Sequence, residues 1–319
     1  MTGQQAPGRP RYAYLGPAGT FTEAALRQVA SPEEAEYLPQ VDVVSAIEAV
    51  RSGIADFAVV AIESSIEGGV NAVLDTLASG ERLVLLGEVL VPVTFSLAAR
   101  AGTALSDVRR ISAHPHAWAQ CRRWLAAHLP EVVHVPATSN TAPAALLSGS
   151  AEALPFEAAL VPPSALDHYG LATLATHVAD NERAVTRFVV VGRPGDMPAR
   201  TGADKTTFVV HLPSNQAGAL LEMLEQLATR GVNLSRIESR PIGDSLGRYS
   251  FSVDAEGHVE DERVAEALMG LHRMCPHVRF LGSYPRVDAP HGDLRPGTSD
   301  ADFTAARAWL EGLRAGTTG

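Results

Sequence analysis

The chain has 319 residues, 46% of them apolar and 19% charged, with a formal net charge of −10. That length allows two or three compact domains, and the acidic balance argues against nucleic acid as a partner, since phosphates are held mainly by Lys and Arg. No apolar run approaches the ~20 residues of a membrane span, so no membrane partner is expected. The opening MTGQQAPGRPR lacks the apolar segment of a signal peptide and reads as a short lead-in. Cys121 and Cys275 lie far apart in sequence and have no zinc spacing, so reduced thiols in a cytoplasmic protein are expected.

In chain order, Tyr12–Leu15, Phe57–Ile62, Leu83–Leu86, Val93–Ala98, Ala158–Val161 and Phe188–Val191 read as apolar strands covered on both faces. Between them, Phe21–Val29, Val43–Val50, Val70–Leu77, Ala117–Leu129 and Thr141–Leu147 carry apolar residues at helical spacing. The alternation predicts an α/β unit with a mainly parallel sheet or sheets. Pro194–Asp204, rich in Pro and Gly, reads as a linker. A different rhythm follows: strand Thr206–Leu212, helix Ala217–Thr229 stopped by Gly231, then strands Val232–Ser239 and Tyr249–Val253 joined by the turn Gly243–Gly247. Helix Glu260–Arg273 and strand Val278–Leu281 complete a ferredoxin-like βαββαβ order. The tail after Pro285 is rich in Gly, Pro and Asp, with one helix predicted over Asp302–Leu313.

Several junctions concentrate small polar residues. In Leu15–Phe21, Gly16 and Gly19 permit close backbone approach and Thr20 can cap the next helix, whose free N–H groups suit an anion. The Lys of a phosphate loop and the third Gly of a dinucleotide fingerprint are missing, so a carboxylate fits better than a nucleotide. Ala61–Val70 offers Glu63, Ser64, Ser65 and Glu67 after a strand, where α/β proteins place ligands. In Ala113–Arg122, Pro115 splits His114 from His116, which argues against a metal site, and Gln120 lies one turn beyond His116. Thr138–Ala142 brings hydroxyl and amide groups to another helix start. Thr186 and Arg187 stand at the mouth of strand Phe188–Val191, a hydroxyl beside a fixed cation. If these junctions converge, they suit a molecule with more than one carboxylate and need no cofactor. Taken singly, each is equally a tight turn, a helix cap or an ordinary loop-to-strand junction.

Together the motifs resemble the prephenate dehydratase family over nearly all of residues 12–285. Its Gly-Pro-x-Gly-Thr-Phe stands at Gly16–Phe21 and its Thr-Arg-Phe at Thr186–Phe188; Pro-Ile-Glu-Asn-Ser-x-x-Gly is similar to Ala61–Gly68, and His-Pro-x-x-x-x-Gln-Cys to His114–Cys121. The C-terminal unit resembles a regulatory ACT domain, with Gly218-Ala219-Leu220 and Glu238-Ser239-Arg240-Pro241 matching its phenylalanine-responsive signature. The chain departs from the pattern at Ser64, where the family has Asn, at Ala61 for Pro, at Ala113 before His-Pro, and at Ala184. Ser64 offers one hydroxyl on a shorter arm than an Asn amide.

The resemblance implies a two-lobed catalytic domain over 10–193, similar to type II periplasmic binding proteins, with lobe 1 formed by 10–91 and 175–193 and lobe 2 by 92–174. A linker at 194–204, an ACT domain at 205–286 and a tail at 287–319 would follow. The implied reaction takes prephenate to phenylpyruvate with loss of carbon dioxide and water, without metal or other cofactor. Thr186, Gln120 and Ser64 would be catalytic, with Gly19, Thr20, Phe21, Ser65, Thr141, Arg187 and Phe188 binding substrate, Arg187 being equally readable as a structural ion pair. Phenylalanine would act as allosteric effector at Gly218, Ala219, Leu220, Asn233, Leu234, Ser235 and Glu238–Pro241, in a homodimer or homotetramer. A non-aromatising prephenate decarboxylase of the same family, or a catalytically weak prephenate or amino-acid sensor, are the alternatives.

Overall fold

The computed structural model describes residues 8–149, 153–214, 216–242, 249–287 and 294–316. Its chain divides into two compact units, one of residues 1–73 and 89–190, the other of residues 74–88 and 191–319. The predicted turn Gly243–Gly247 lies outside the described residues.

The first elements are β1 (Arg11–Leu15), α1 (Phe21–Val29), β2 (Glu36–Gln40), α2 (Val43–Arg51), β3 (Phe57–Ser64), β4 (Gly68–Gly69), α3 (Asn71–Ala78) and β5 (Val84–Pro92). There follow β6 (Ser96–Ala99), β7 (Arg110–Ala113), α4 (Pro115–Gln120), α5 (Arg122–His128), β8 (Val133–Pro136), α6 (Ala142–Ser148), β9 (Ala158–Val161), α7 (Pro163–Tyr169), β10 (Ala172–Ala175) and β11 (Val185–Gly192). The first sheet runs β2-β1-β3-β11-β5, with β4 folded back on β3. β1 pairs parallel to both β2 and β3, as expected. The second sheet, β10-β6-β9-β7-β8, is mixed. β7 runs parallel to β8 and β9, whereas β6 is antiparallel to β9 and β10. The expectation of mainly parallel sheets is therefore corrected for this half.

Its core gathers Phe95, Leu97, Ile111, Ala117, Cys121, Leu125, Leu160, Val178 and Ala184, all buried. Removing a Phe or Leu side chain of this kind from water stabilises by about 1.5–3 kcal/mol.

The predicted helix Ala117–Leu129 is two helices. Cys121 ends α4 and begins α5 with φ −114° and ψ 9°. Asp180 explains the break: its carboxylate accepts from the main-chain N–H of Arg123 at 2.9 Å and of Trp124 at 3.1 Å, and its own N–H donates to the Gln120 carbonyl at 2.7 Å. A carboxylate brought from a distant part of the chain thus satisfies the orphan donors of a new helix start.

The second unit holds β12 (Asp204–His211), α8 (Ala219–Ala228), β13 (Leu234–Pro241), β14 (Tyr249–Glu256), α9 (Glu262–Met274), β15 (His277–Pro285) and α10 (Asp300–Ala315). This is the expected βαββαβ order plus a tail helix. The sheet is β13-β14-β12-β15, antiparallel throughout. Strand alternation sorts its faces. Phe208, Val210, Phe251 and Val253 pack with Met223, Leu227, Val264 and Leu271 of the helices. Lys205, Thr207 and Asp254 fall on the other side. There Lys205 Nζ donates to both oxygens of Glu88 at 3.0 Å, and Arg236 Nε donates to Asp254 at 2.9 Å, all four nearly or fully buried.

Candidate functional site

A cavity of about 740 Å³ lies in the first unit. One wall comes from the end of β1 and the turn after it (Leu15, Gly16, Pro17, Thr20), the start of α1 (Phe21, Thr22), the end of β2 (Pro39, Gln40, Val41), Ala61 of β3, and Thr186 and Phe188 of β11. The facing residues, His114, Thr138, Ser139, Asn140 and Ala142, belong to the junctions that open α4 and α6. Thr186 and Phe188 share this wall because alternate residues of a strand face the same way.

That alternation also removes Arg187 from the wall. Its side chain is 7% exposed, and Nε donates to Glu63 at 3.1 Å. Of the two readings of Arg187, a cation beside a ligand carboxylate or a structural ion pair, this geometry favours the ion pair, between a buried Arg187 and a partly exposed Glu63. The cost of breaking it falls on the Arg187 side, which is buried, and much less on Glu63, which stays partly in water.

The glycine turn corrects a second expectation. Thr20 caps α1 as predicted, accepting from the Glu23 N–H at 3.2 Å, and its hydroxyl donates to the Leu15 carbonyl at 3.2 Å. The Gly19 N–H, however, donates to the buried carboxylate of Glu23. The anion that this turn was expected to recruit from a ligand is already supplied by its own chain. Gly19 has φ +84°, and a Cβ there would stand 3.2 Å from the Ala165 backbone. Gly19 lines a different cavity, together with Glu23, Arg27 and Ser164.

The hydroxyls of Ser64, half-buried, and Ser65, exposed, are likewise engaged by main chain. Ser64 Oγ accepts from the Ile66 N–H at 3.3 Å, and Ser65 Oγ accepts from the Val185 N–H at 3.0 Å, while the Ser65 N–H donates to the Val185 carbonyl at 2.9 Å. Neither lines the main cavity. Because β4 folds straight back onto β3, their hydroxyls are taken up by neighbouring main chain. Ser65 thereby fixes the residue immediately before Thr186.

Gln120 stands apart as well. It lines a smaller cavity of about 310 Å³ with Ile66, Glu67, His116, Ala119, Asp180 and Asn181. His116 Nδ1 and Glu67 face each other there at 2.6 Å. Thr141 is fully buried behind Asn140. Three side-chain oxygens in this half, Gln120 Oε1, Asn140 Oδ1 and Thr141 Oγ1, are buried with no hydrogen-bond partner.

Sequence reasoning did not select His114 and Asn140 as site residues, although both stood in motifs it marked. Position in the cavity separates them from their neighbours. Cys121, from the same motif, is fully buried, and burial pushes its thiol up to about 12, so it offers no thiolate. Among the described residues no group of three or more His, Cys, Asp or Glu is placed to hold a metal ion, and no helix is long and apolar enough to cross a membrane.

The residues expected to sense phenylalanine occupy the start of α8 and the edge strand β13. Gly218, with φ +91°, is the N-cap of α8; Ala219 is buried and Leu220 exposed. Asn233 precedes β13, Leu234 and Ser235 open it, and Glu238–Pro241 close it. Arg240 donates to both oxygens of Asp75, at 2.9 and 2.7 Å.

Comparison with known proteins identifies relatives along nearly the whole chain. Residues 12–196 match the family model described as prephenate dehydratase, and residues 206–273 match the ACT domain. A curated prephenate dehydratase of Mycolicibacterium vanbaalenii is 46% identical over 320 residues, 96% of this chain and 99% of the relative. The crystal structure of a prephenate dehydratase from Arthrobacter aurescens in complex with L-Phe superposes with a TM-score of 0.91 at 53% identity, covering 96% and 99% of the two chains. A structure described as GqqA, a novel type of quorum quenching acylase, has a TM-score of 0.74 at 31% identity, covering 87% of this chain and 98% of its own. By its sequence along nearly the whole length and by its fold, the chain belongs to the prephenate dehydratase family.

Proposed function

We propose that the protein is a prephenate dehydratase, a carbon–oxygen lyase of aromatic amino acid biosynthesis that converts prephenate to phenylpyruvate, carbon dioxide and water. The observation that carries this reading is Thr186, which lines the cavity beside Phe188 in a chain matched to this family from residue 12 to 196. In the reaction the bond from the ring to its carboxylate breaks and its electron pair enters the ring. The ring carbon–oxygen bond breaks on the far side, and hydroxide leaves with the electron pair of that C–O bond and takes one proton from solvent. Aromatisation drives the step; the barrier lies in the poor leaving group. Thr186 donates a hydrogen bond to that oxygen, which lowers the barrier without the full proton transfer that an ordinary Thr, a very weak acid, does not perform. Ser65 acts by holding Val185, and Arg187 by bracing β11 against Glu63. Phe21 and Phe188 supply the apolar surface against which a ring packs.

In the same reading residues 10–193 form the catalytic part and 205–286 an ACT domain. That domain binds phenylalanine near Gly218 and β13, in a cytoplasmic homo-oligomer paired through exposed sheet edges. The solved relative in complex with L-Phe supports the choice of effector.

The deciding experiment supplies prephenate and follows phenylpyruvate by its absorbance in alkali, with the product identified by mass. A dehydratase gives the signal; a decarboxylase that retains the hydroxyl consumes prephenate without it; a sensor leaves prephenate intact. Either of the last two results removes the reading. Saturating phenylalanine is expected to change both turnover and sedimentation, and a protein indifferent to it in both has no such regulation.

A further inference from the structure

We infer that His114 is a further catalytic group: a neutral imidazole whose Nε2–H donates a hydrogen bond to the departing oxygen alongside Thr186. The inference rests on the dehydratase reading and assigns a second donor to the same cavity.

Three observations lead to it. His114 is the N-cap of α4, with φ −61° and ψ 141°, and its Nδ1 accepts from the His116 main-chain N–H at 3.3 Å. A ring nitrogen that accepts carries no proton, so the single proton of the neutral ring resides on Nε2; the tautomer is assigned from this contact. The ring lines the cavity that Thr186 lines, and it is half-buried. With Nδ1 turned to the main chain, Nε2–H is the polar group the ring has left to offer a ligand.

The surroundings keep the ring neutral. The His116 ring meets it edge-on, with centroids 4.9 Å apart. Beyond His116 stands the Glu67 carboxylate, and His134 Nε2 lies 2.9 Å from the carbonyl of Ala113, the residue before His114. Burial lowers the His114 pKa below the usual 6.5, the charge of His116 lowers it further, and Glu67 opposes both. Protonation at Nδ1 would also set an N–H against the His116 N–H and release the cap. The ring therefore remains a donor at neutral pH and does not become an imidazolium that would grip the ground-state carboxylates. A donor of this kind stabilises charge that develops on the leaving oxygen, and it remains unchanged at the end of the step.

Two variants of the full chain separate capping from donation. In His114→Asn the amide oxygen stands near the position of Nδ1 and keeps the cap, but nothing reaches as far as Nε2. In His114→Gln the amide NH₂ stands near Nε2 and has no pKa in the working range. Folding is checked by Tm and turnover by initial rates on prephenate across pH. His114→Asn is expected to melt near the wild type, with kcat lower by about 100-fold and KM within a few-fold, the pattern of an interaction made in the transition state. His114→Gln is expected to recover at least about tenfold of that loss. It should also lack the acid limb below pH 6.5 that the wild type shows in kcat/KM as His114 gains its proton. A folded His114→Asn with kcat within about threefold of wild type overturns the inference, as does a folded His114→Gln no better than Asn. Wild-type protein that leaves prephenate untouched overturns the dehydratase reading beneath it, a result distinct from either.

Discussion

The two walls of the cavity are built on opposite principles. On the wall of β1, α1 and β11 Thr20 both accepts and donates within its own chain, and outside the cavity lining Glu23 holds the Gly19 N–H and the Arg27 guanidinium while Ser65 holds Val185. Across from it Asn140 lines the cavity and Thr141 does not, and among the described residues neither Asn140 Oδ1 nor Thr141 Oγ1, both buried, has a partner. Leaving such an atom without a partner costs about 1–3 kcal/mol. Thr20 has its hydrogen bonds made within the chain, whereas Asn140 keeps acceptor capacity open towards the cavity. Fixed donors aimed at the reacting centre need the first kind, and recognition of a polar substrate needs the second.

Four substitutions can break or sharpen this contrast. Thr186→Ala should lower turnover at least ~100-fold with little change in stability, the scale of a lost transition-state donor; near-normal turnover removes Thr186 from the mechanism. Glu23→Gln strikes the turn that leads into α1. It takes the charge from a buried carboxylate that serves Gly19 and Arg27, so a loss of about 1.5–3 kcal/mol in a urea titration is expected. Unchanged stability would mean the turn does not depend on its internal anion. On the other wall, Asn140→Ala should raise KM for prephenate about tenfold and leave the unfolding midpoint in place; an unchanged KM would separate Asn140 from the ligand. Thr141→Val swaps the orphan hydroxyl for a methyl of similar shape. Stability is expected to rise by about 1 kcal/mol while KM rises a few-fold, and a destabilised variant would show that Thr141 has a partner in the free protein.

The elements themselves were largely legible. Periodicity located α1, α2, β3, β11 and the βαββαβ unit because each carries its apolar residues at one spacing. Strands β2, β4, β7, β8 and β10 and helix α7 were not foreseen, and for two of the strands the reason is physical. β2 reads Glu-Tyr-Leu-Pro-Gln and β8 reads Val-His-Val-Pro, and a Pro argues against a strand until the strand is known to be an edge, as both are. Glu23 was also readable in principle, since Thr20-x-x-Glu23 is a capping-box spacing. Here the carboxylate reaches Gly19 instead of the cap residue itself. For Arg187 two readings stood level, and strand alternation alone would have favoured the ion pair, since Arg187 and Thr186 face opposite ways.

By itself the sequence determined the family, the order of the elements and the placing of Thr186 at the mouth of a strand, because these depend on local periodicity and on motifs read in order. Only the tertiary structure decided which polar groups are spent and which are free. Ser65 is committed to a residue 120 positions away and Arg187 to one 124 away. A hydroxyl or guanidinium has a limited number of hydrogen bonds to give, and partners that distant in the chain cannot be read from its neighbours. The groups left over, Thr186, His114 and Asn140, are defined by that remote accounting.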